Sequence, residues 1–232
     1  MRNKLSLIYS SLLPYIYNKV RKGKTRDKVT ADLKSAVAFS CTLGSLVPMI
    51  IPFLLSSCGA ENTISRKFAC QFTFQTQNHA GNTLEIALNG YGTYTFVSAS
   101  YKNGVWHILS TPNDGSGKTE DIAITAANEK QYTNPTNLGA NNGIIIGQTN
   151  FNGIVAYDRQ CPNCINQYGG TNYPLAWNPT NRQLVTCAKC HRTYDLEYGN
   201  IKDGANGDRL MQYLISYNSN TYGTGKVIWV HN

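Results

Sequence analysis

Four of the seven cysteines in this 232-residue chain fall into two pairs with the same spacing. They are Cys161-Pro-Asn-Cys164 and Cys187-Ala-Lys-Cys190, and 22 residues lie between the two pairs. Two residues between thiols let a tight turn aim both sulfurs, and several backbone N–H groups, at one point. Two such turns supply four thiolates, so the pattern predicts a tetrahedral metal centre on Cys161, Cys164, Cys187 and Cys190.

Two other interpretations of these cysteines stay open. In an oxidising compartment each pair could form its own disulfide or act as a separate redox-active CxxC, and the four thiols could also be unrelated. An oxidoreductase of the thioredoxin type needs its CxxC at the start of a helix in a βαβ unit. Here both pairs follow strand-like segments, GIVAYD and QLVTC, which favours the shared metal centre.

Short apolar or alternating runs recur along residues 67–232, and turn signals such as NG, NDGSG, NPTN and DGANGD bound them. This is the pattern of β-strands linked by turns. Many short strands predict an all-β sandwich or barrel, with a helix inside EDIAITAANEKQY as the alternative for that one segment. The predicted strands are FTFQT, LEIAL, YTFVSASY, VWHIL, IAIT, GIIIG, GIVAYD, QLVTC, YLISY and KVIWV.

The chain from about residue 140 to 232 resembles a Rieske-type domain in the order of four segments: GIVAYDRQCPNC, QLVTCAKCHRTYDLEYGNIKDG, RLMQYLISYN and GKVIWV. The resemblance implies a Rieske-like antiparallel β-sandwich or barrel. Its metal-binding subdomain would cover about residues 155–200 and be similar to a rubredoxin or zinc ribbon. Rieske domains hold a [2Fe-2S] cluster between two loops with Cys and His ligands. Lipoproteins of the Bacteroides type that carry CPNC and CxKC loops are similar to this chain as well.

The chain departs from the Rieske pattern at both histidine ligands. When the Tyr-Asp pair at 194–195 is aligned, Cys190 occupies one histidine position and His191 comes one place too late. Asn163 occupies the other histidine position, and Cys164 follows it. Four thiolates are typical of a single Zn or Fe ion, whereas the resemblance implies [2Fe-2S], so the metal stays open between these. The residues expected close to the ligands, with turn and packing roles favoured, are Asn163, His191, Tyr194 and Asp195.

The first 57 residues have the order of a bacterial export signal. Residues 1–34 carry nine basic and two acidic side chains, a charge of +7, and no charged side chain occurs from 35 to 57. The following Leu55-Ser56-Ser57-Cys58 resembles a lipobox, in which Cys58 is acylated and becomes the mature N-terminus. An uncleaved transmembrane helix is the alternative. We therefore expect a leader over 1–57, a tether over 58–66 and one β domain over 67–232.

The charge of the mature part argues against a nucleic-acid partner. From residue 58 onward 12 basic side chains face 11 acidic ones, so the net charge is only +1. A phosphate-binding surface needs a stronger positive field than this. The expected partner is instead the lipid bilayer, through acylated Cys58, and the expected location is the bacterial cell envelope outside the cytoplasm.

No catalytic constellation stands out in the sequence. It offers no Ser/His/Asp set, paired-carboxylate signature or phosphate-cradling loop, so we expect no catalytic residues. The favoured function is a membrane-anchored domain whose four-cysteine centre has a structural or binding role. The alternatives are an electron-transfer protein with a [2Fe-2S] cluster and a surface adhesin or accessory subunit. Cys70, which stands alone before FTFQT, is expected to be a buried apolar thiol.

Overall fold

The structure is a computed structural model that describes residues 64–219 and 226–232. The predicted leader, the lipobox and Cys58 lie outside the described residues. Among the described residues no helix is both long and apolar enough to cross a membrane.

Most of the described chain forms β-strands. The strands are β1 (Cys70–Gln75), β2 (Thr93–Lys102), β3 (Val105–Pro112), β4 (Glu120–Ala123), β5 (Asn134–Leu138), β6 (Ile144–Gln148), β7 (Ile154–Asp158), β8 (Leu175–Trp177), β9 (Leu184–Cys187), β10 (Thr193–Asp195), β11 (Ile201–Asp203), β12 (Gln212–Ser219) and β13 (Lys226–His231). The helices are α1 (Thr83–Asn89), α2 (Ala127–Tyr132) and α3 (Pro162–Tyr168), with a 3-10 turn at Gly139–Asn141.

Nine strands form one curled antiparallel sheet in the order β4-β3-β2-β6-β7-β12-β13-β1-β5. Successive side chains of a strand point to opposite faces of the sheet, as the two-residue period requires. In β1, for example, Phe72 and Phe74 are buried while Gln71 is exposed. The prediction of an antiparallel β fold is therefore confirmed.

One predicted strand is wrong. The segment LEIAL lies in helix α1, whose first turn is capped by Asn82: its side-chain oxygen accepts a hydrogen bond from the Glu85 N–H at 3.0 Å. A strand would bury Leu84, Ile86 and Leu88 together, but Ile86 is 57% exposed. The buried residues are Leu84, Ala87 and Leu88, and that spacing of three and four is the period of a helix.

A second sheet of four short strands, in the order β11-β10-β9-β8, lies along the chain between β7 and β12. A separate hydrophobic cluster joins it to the large sheet and contains the side chains of three cysteines. At its centre Phe96 of β2 stacks on Trp177 of β8, with ring centroids 3.7 Å apart and planes 3° from parallel. The Arg159 guanidinium covers the Phe96 ring at 4.1 Å. This packing fixes the small sheet against the large one.

Candidate metal centre

The first pair of cysteines lies where β7 gives way to α3. Cys161 is the residue before the helix, and Pro162 occupies the first helical position, where its missing N–H costs nothing. Cys164 follows in the first turn of α3. The turn before them is held by Asp158, whose carboxylate accepts a hydrogen bond from the Gln160 N–H at 2.7 Å. The CPNC pair therefore lies at the start of a short helix, which the strand-like segment before it did not predict. The strands next to β7 are antiparallel, so the pair does not lie in the βαβ unit of a thioredoxin-type oxidoreductase.

The second pair lies in the hairpin between β9 and β10. Cys187 ends β9, and its N–H donates to the Arg192 carbonyl at 3.0 Å. The His191 N–H donates to the Cys187 carbonyl at 2.9 Å, so the chain reverses direction around Cys190. His191 reaches this geometry with a positive φ of 59°. The turn brings Cys190 back toward the first loop.

The four thiols meet at one point. Their Sγ atoms all lie within 4.8 Å of one another, and the group could hold one metal ion. The close contacts run between the two loops: Cys161 Sγ lies 3.6 Å from Cys190 Sγ, and Cys164 Sγ lies 3.6 Å from Cys187 Sγ. A tetrahedral ion with metal–sulfur bonds of ~2.3 Å has sulfur–sulfur edges of ~3.8 Å. These two contacts are close to such an edge, and no disulfide joins these cysteines.

Two polar side chains, Tyr194 and Asn163, form a chain of hydrogen bonds that ends at the thiol of Cys161. The Tyr194 hydroxyl lies 3.3 Å from Cys161 Sγ and accepts a hydrogen bond from the Asn163 side-chain amide at 2.8 Å. Asn163 is itself held by the backbone of Asp208, through one hydrogen bond at 2.7 Å and another at 2.8 Å. Burial, together with the neighbouring Cys161, raises the pKa of Tyr194, so its hydroxyl stays protonated and can donate to the sulfur.

Burial opposes ionisation of the inner thiols. It raises the pKa of Cys161 to about 11, partly offset by hydrogen bonds from the Tyr194 hydroxyl and the Cys164 N–H. Burial and the neighbouring thiols also raise the pKa of Cys164. For Cys190 burial acts in the same direction, but hydrogen bonds from the backbone and guanidinium of Arg192 outweigh it and lower the pKa to about 7. A bound cation would supply the positive charge that four thiolates need at one point.

The other predicted residues take different places. His191 is exposed and stands outside the group of side chains that could hold a metal. Asp195 caps a turn, because its carboxylate accepts a hydrogen bond from the Tyr198 N–H at 2.7 Å. Cys70 is buried in the core of the large sheet, away from the other thiols, and burial raises its pKa to about 12.

The sequence interpretation did not single out Arg192. Its guanidinium is fixed by hydrogen bonds to the carbonyls of Ala205 at 2.7 Å and Asn206 at 3.1 Å, and it lies beside Cys190. Three of the cysteines are buried and Cys190 alone is partly exposed, so Arg192 borders the open side of the centre. A cation two residues after a thiolate ligand is the signal that could have identified it.

No family model, curated protein or solved structure matches this chain.

Proposed function

We propose that this chain is a lipid-anchored protein of the bacterial cell envelope whose β domain is stapled by one metal ion on Cys161, Cys164, Cys187 and Cys190. The observation that carries the proposal is the convergence of the four Sγ atoms within 4.8 Å of one another. Two of these thiols come from the junction between β7 of the large sheet and α3, and two from the β9–β10 hairpin of the small sheet, so one ion would tie the two loops together. No open coordination position is left for a substrate, which is typical of a structural site.

The distances favour a single ion over a two-iron cluster. A [2Fe-2S] cluster puts two thiolates on each of two irons, so sulfurs on different irons are separated by an additional metal–metal distance. Here all four Sγ atoms lie within 4.8 Å of one another, which leaves no pair separated by that additional distance. Zn²⁺ suits this donor set because it accepts four thiolates without a preferred d-electron geometry, and a mononuclear Fe ion fits the same donors.

The lipid anchor is supported by the sequence. A basic region, an uncharged apolar run and the lipobox-like Leu55-Ser56-Ser57-Cys58 occur in that order. Two acyl chains on Cys58 would give stable anchoring, where one chain gives only marginal binding.

A Rieske-like ancestry of the domain is part of the same proposal. Its support is the order of elements: β7 and β9 each lead directly into a ligand loop, and β12 and β13 form the hairpin that follows. In such an ancestry the two histidine ligands would have been replaced, and the proton-coupled chemistry that histidines allow would have been lost with them.

Electron transfer is the second candidate, and the surroundings of two ligands favour it. Cys190 is partly exposed, so an electron could leave through this thiolate to a partner. The Tyr194 hydroxyl lies 3.3 Å from Cys161 Sγ, and hydrogen bonds to sulfur are one means by which proteins set the potential of an iron–thiolate centre. Iron in the site would supply one-electron chemistry, whereas zinc has no redox activity.

Metal analysis of the purified protein separates these candidates. A colourless protein with one zinc per chain is the result expected for a structural metal site. A red-brown protein whose visible absorption is bleached by dithionite would instead support electron transfer. Mass spectrometry that finds Cys161–Cys164 and Cys187–Cys190 disulfides in the native protein would overturn both, because neither pair could then hold a metal.

A further inference from the structure

The outer face of the strands β12 and β13 carries a patch formed by Leu214, Trp229 and His231 and called here the outer patch. Leu214 and Trp229 are each 45% exposed. The Trp229 indole stacks on the His231 ring, with centroids 4.0 Å apart and planes 23° from parallel. Leu214 lies directly opposite His231 in the β12–β13 register, so the three side chains are neighbours on one surface.

The outer patch lies beside the point where the described chain begins. Ile64 pairs with Gln212, and the Ser65 N–H donates to the Gln212 carbonyl at 2.8 Å. The side-chain amide of Asn232, at the end of β13, donates to the Ser65 carbonyl at 2.8 Å. Gln212 is two residues from Leu214, so Ile64 lies within about 10 Å of the outer patch at a strand rise of ~3.4 Å per residue.

The charges around the outer patch suit an anionic surface. The strands β12, β13, β1 and β5, which form this side of the sheet, contain no Asp or Glu. The segment that leads into β1 exposes Arg66 and Lys67; the Lys67 ammonium donates to the Asn166 side-chain oxygen on α3, which leaves Arg66, among the described residues, as the free cation beside the patch. Tryptophan is favoured at the boundary between water and lipid because its ring is apolar and its N–H is polar. Basic side chains near that boundary are attracted to anionic headgroups.

The length of the tether limits how far this side of the domain can lie from a bilayer. Ile64 is the sixth residue after Cys58, and a fully extended chain spans at most about 3.5 Å per residue. If Cys58 is acylated, Ile64 lies within roughly 20 Å of the acylated sulfur, even with the tether fully stretched. The side of the domain around Ile64 is then held near the headgroups.

We propose that the outer patch docks on the bilayer surface, with Trp229 and Leu214 at the level of the headgroups and Arg66 facing anionic lipids. This inference rests on the lipid anchor at Cys58 proposed above. It adds an orientation: the outer face of β12 and β13 lies against the membrane, and the domain is held in one pose instead of turning freely on its tether.

Tryptophan quenching by lipid tests the docking. The full acylated chain is reconstituted into vesicles of phosphatidylcholine and phosphatidylglycerol, with or without acyl chains brominated near the glycerol. Trp229 is one of three tryptophans, so bromination should remove the share of the total emission that Trp229 contributes. Trp229→Phe should abolish that loss, and Trp106→Phe, a matched control, should preserve it. Leu214→Asp, which puts an anion on an exposed position, should reduce the loss while the protein still floats with the vesicles.

The outcomes separate the docking from the anchor. Protein that does not float with the vesicles would overturn the anchor at Cys58. Protein that floats but shows equal emission with and without bromine would overturn the docking alone. A loss that persists in Trp229→Phe would assign another surface to the membrane, which also overturns the proposal. Tryptophan emission that changes with the protein-to-lipid ratio but not with bromination would indicate that the outer patch contacts a second copy of the chain instead of lipid, which overturns the docking.

Discussion

The hydroxyl of Tyr194 offers a sharp test of the metal centre, because Tyr194→Phe removes one oxygen atom and leaves the packing of the ring intact. The ring is fully buried, and the hydroxyl takes part in two polar contacts, with Cys161 Sγ at 3.3 Å and with the Asn163 amide at 2.8 Å. Asn163 keeps its hydrogen bonds to the Asp208 backbone in the variant. Its amide therefore does not lose every partner.

The expected effects follow from those two contacts. A buried hydrogen bond contributes about 1 kcal/mol, so Tyr194→Phe should lower the free energy of unfolding by about 2 kcal/mol. Loss of a hydrogen-bonding partner of a metal ligand typically weakens metal affinity by about 10- to 100-fold. Affinity is measured by competition with a chelator of known strength, and stability by urea unfolding of the metal-loaded protein.

Tyr157→Phe is the matched control. Tyr157 is as deeply buried and belongs to the same hydrophobic cluster, yet within residues 64–219 and 226–232 its hydroxyl has no hydrogen bond to a cysteine. The metal affinity of Tyr157→Phe should equal that of the parent protein. If Tyr194→Phe and Tyr157→Phe bind metal equally well, the Tyr194 hydroxyl does not support the thiolates and the reasoning is refuted.

Three further results are expected. Cys190→Ser should release the metal and lower the melting temperature, whereas Cys70→Ser should keep the metal; equal metal loss in both variants, by elemental analysis, would contradict the ligand assignment. A strong chelator should lower the melting temperature of the parent protein but not that of Cys190→Ser, because a structural ion contributes directly to folding; scanning calorimetry checks this. Glu197→Gln should lower the free energy of unfolding by about 1 kcal/mol at neutral pH, a value that allows for screening of the carboxylate by solvent. Partial burial acts to raise the pKa of Glu197, but hydrogen bonds from Asn150, Phe151 and Asn152 outweigh it and lower the pKa below its usual 4.5. The stabilisation by Glu197 should therefore be complete above pH 4.5 and lost as the pH falls through the lower pKa of the folded state. Denaturant unfolding across this pH range, with the exposed Asp203→Asn as the control, should show that the parent protein and Glu197→Gln become equally stable in acid. A difference in the free energy of unfolding that stays constant with pH would contradict this role of Glu197.

The sequence predicted the long strands well because each is a short apolar or alternating run bounded by turn residues, and the burial of β6 on both faces explains why GIIIG is continuously apolar. YTFVSASY, GIIIG, GIVAYD and KVIWV all lie in strands of the large sheet. The strands β8, β10 and β11 were missed because three residues are too short for a period to be visible. LEIAL forms a helix although a strand was predicted, because five residues fit both periods; the local signal for the helix is the cap residue Asn82, which lies just before the segment.

The four candidate metal ligands could be predicted from their spacing alone, but their arrangement could not. The two CxxC pairs identify four sulfurs, and no local pattern tells which sulfur touches which across the loops. The contacts of Cys161 with Cys190 and of Cys164 with Cys187 depend on how the small sheet packs on Phe96 of the large one. Tyr194 likewise contacts Cys161, which lies 33 positions earlier in the chain, so only the tertiary fold brings the two residues together.

The place of the small sheet in the chain also has an evolutionary consequence. β7 and β12 are hydrogen-bonded neighbours in the large sheet, with Tyr157 opposite Gln212, although the whole metal-binding segment lies between them along the chain. The two ends of that segment therefore emerge about one strand spacing apart, ~4.8 Å. The hydrogen bonds of the large sheet would therefore survive if another segment took its place. The replacement would also have to cover the face of the sheet where Phe96, Ile145 and Tyr157 are buried, so this segment can be exchanged as a unit only for one with its own apolar face.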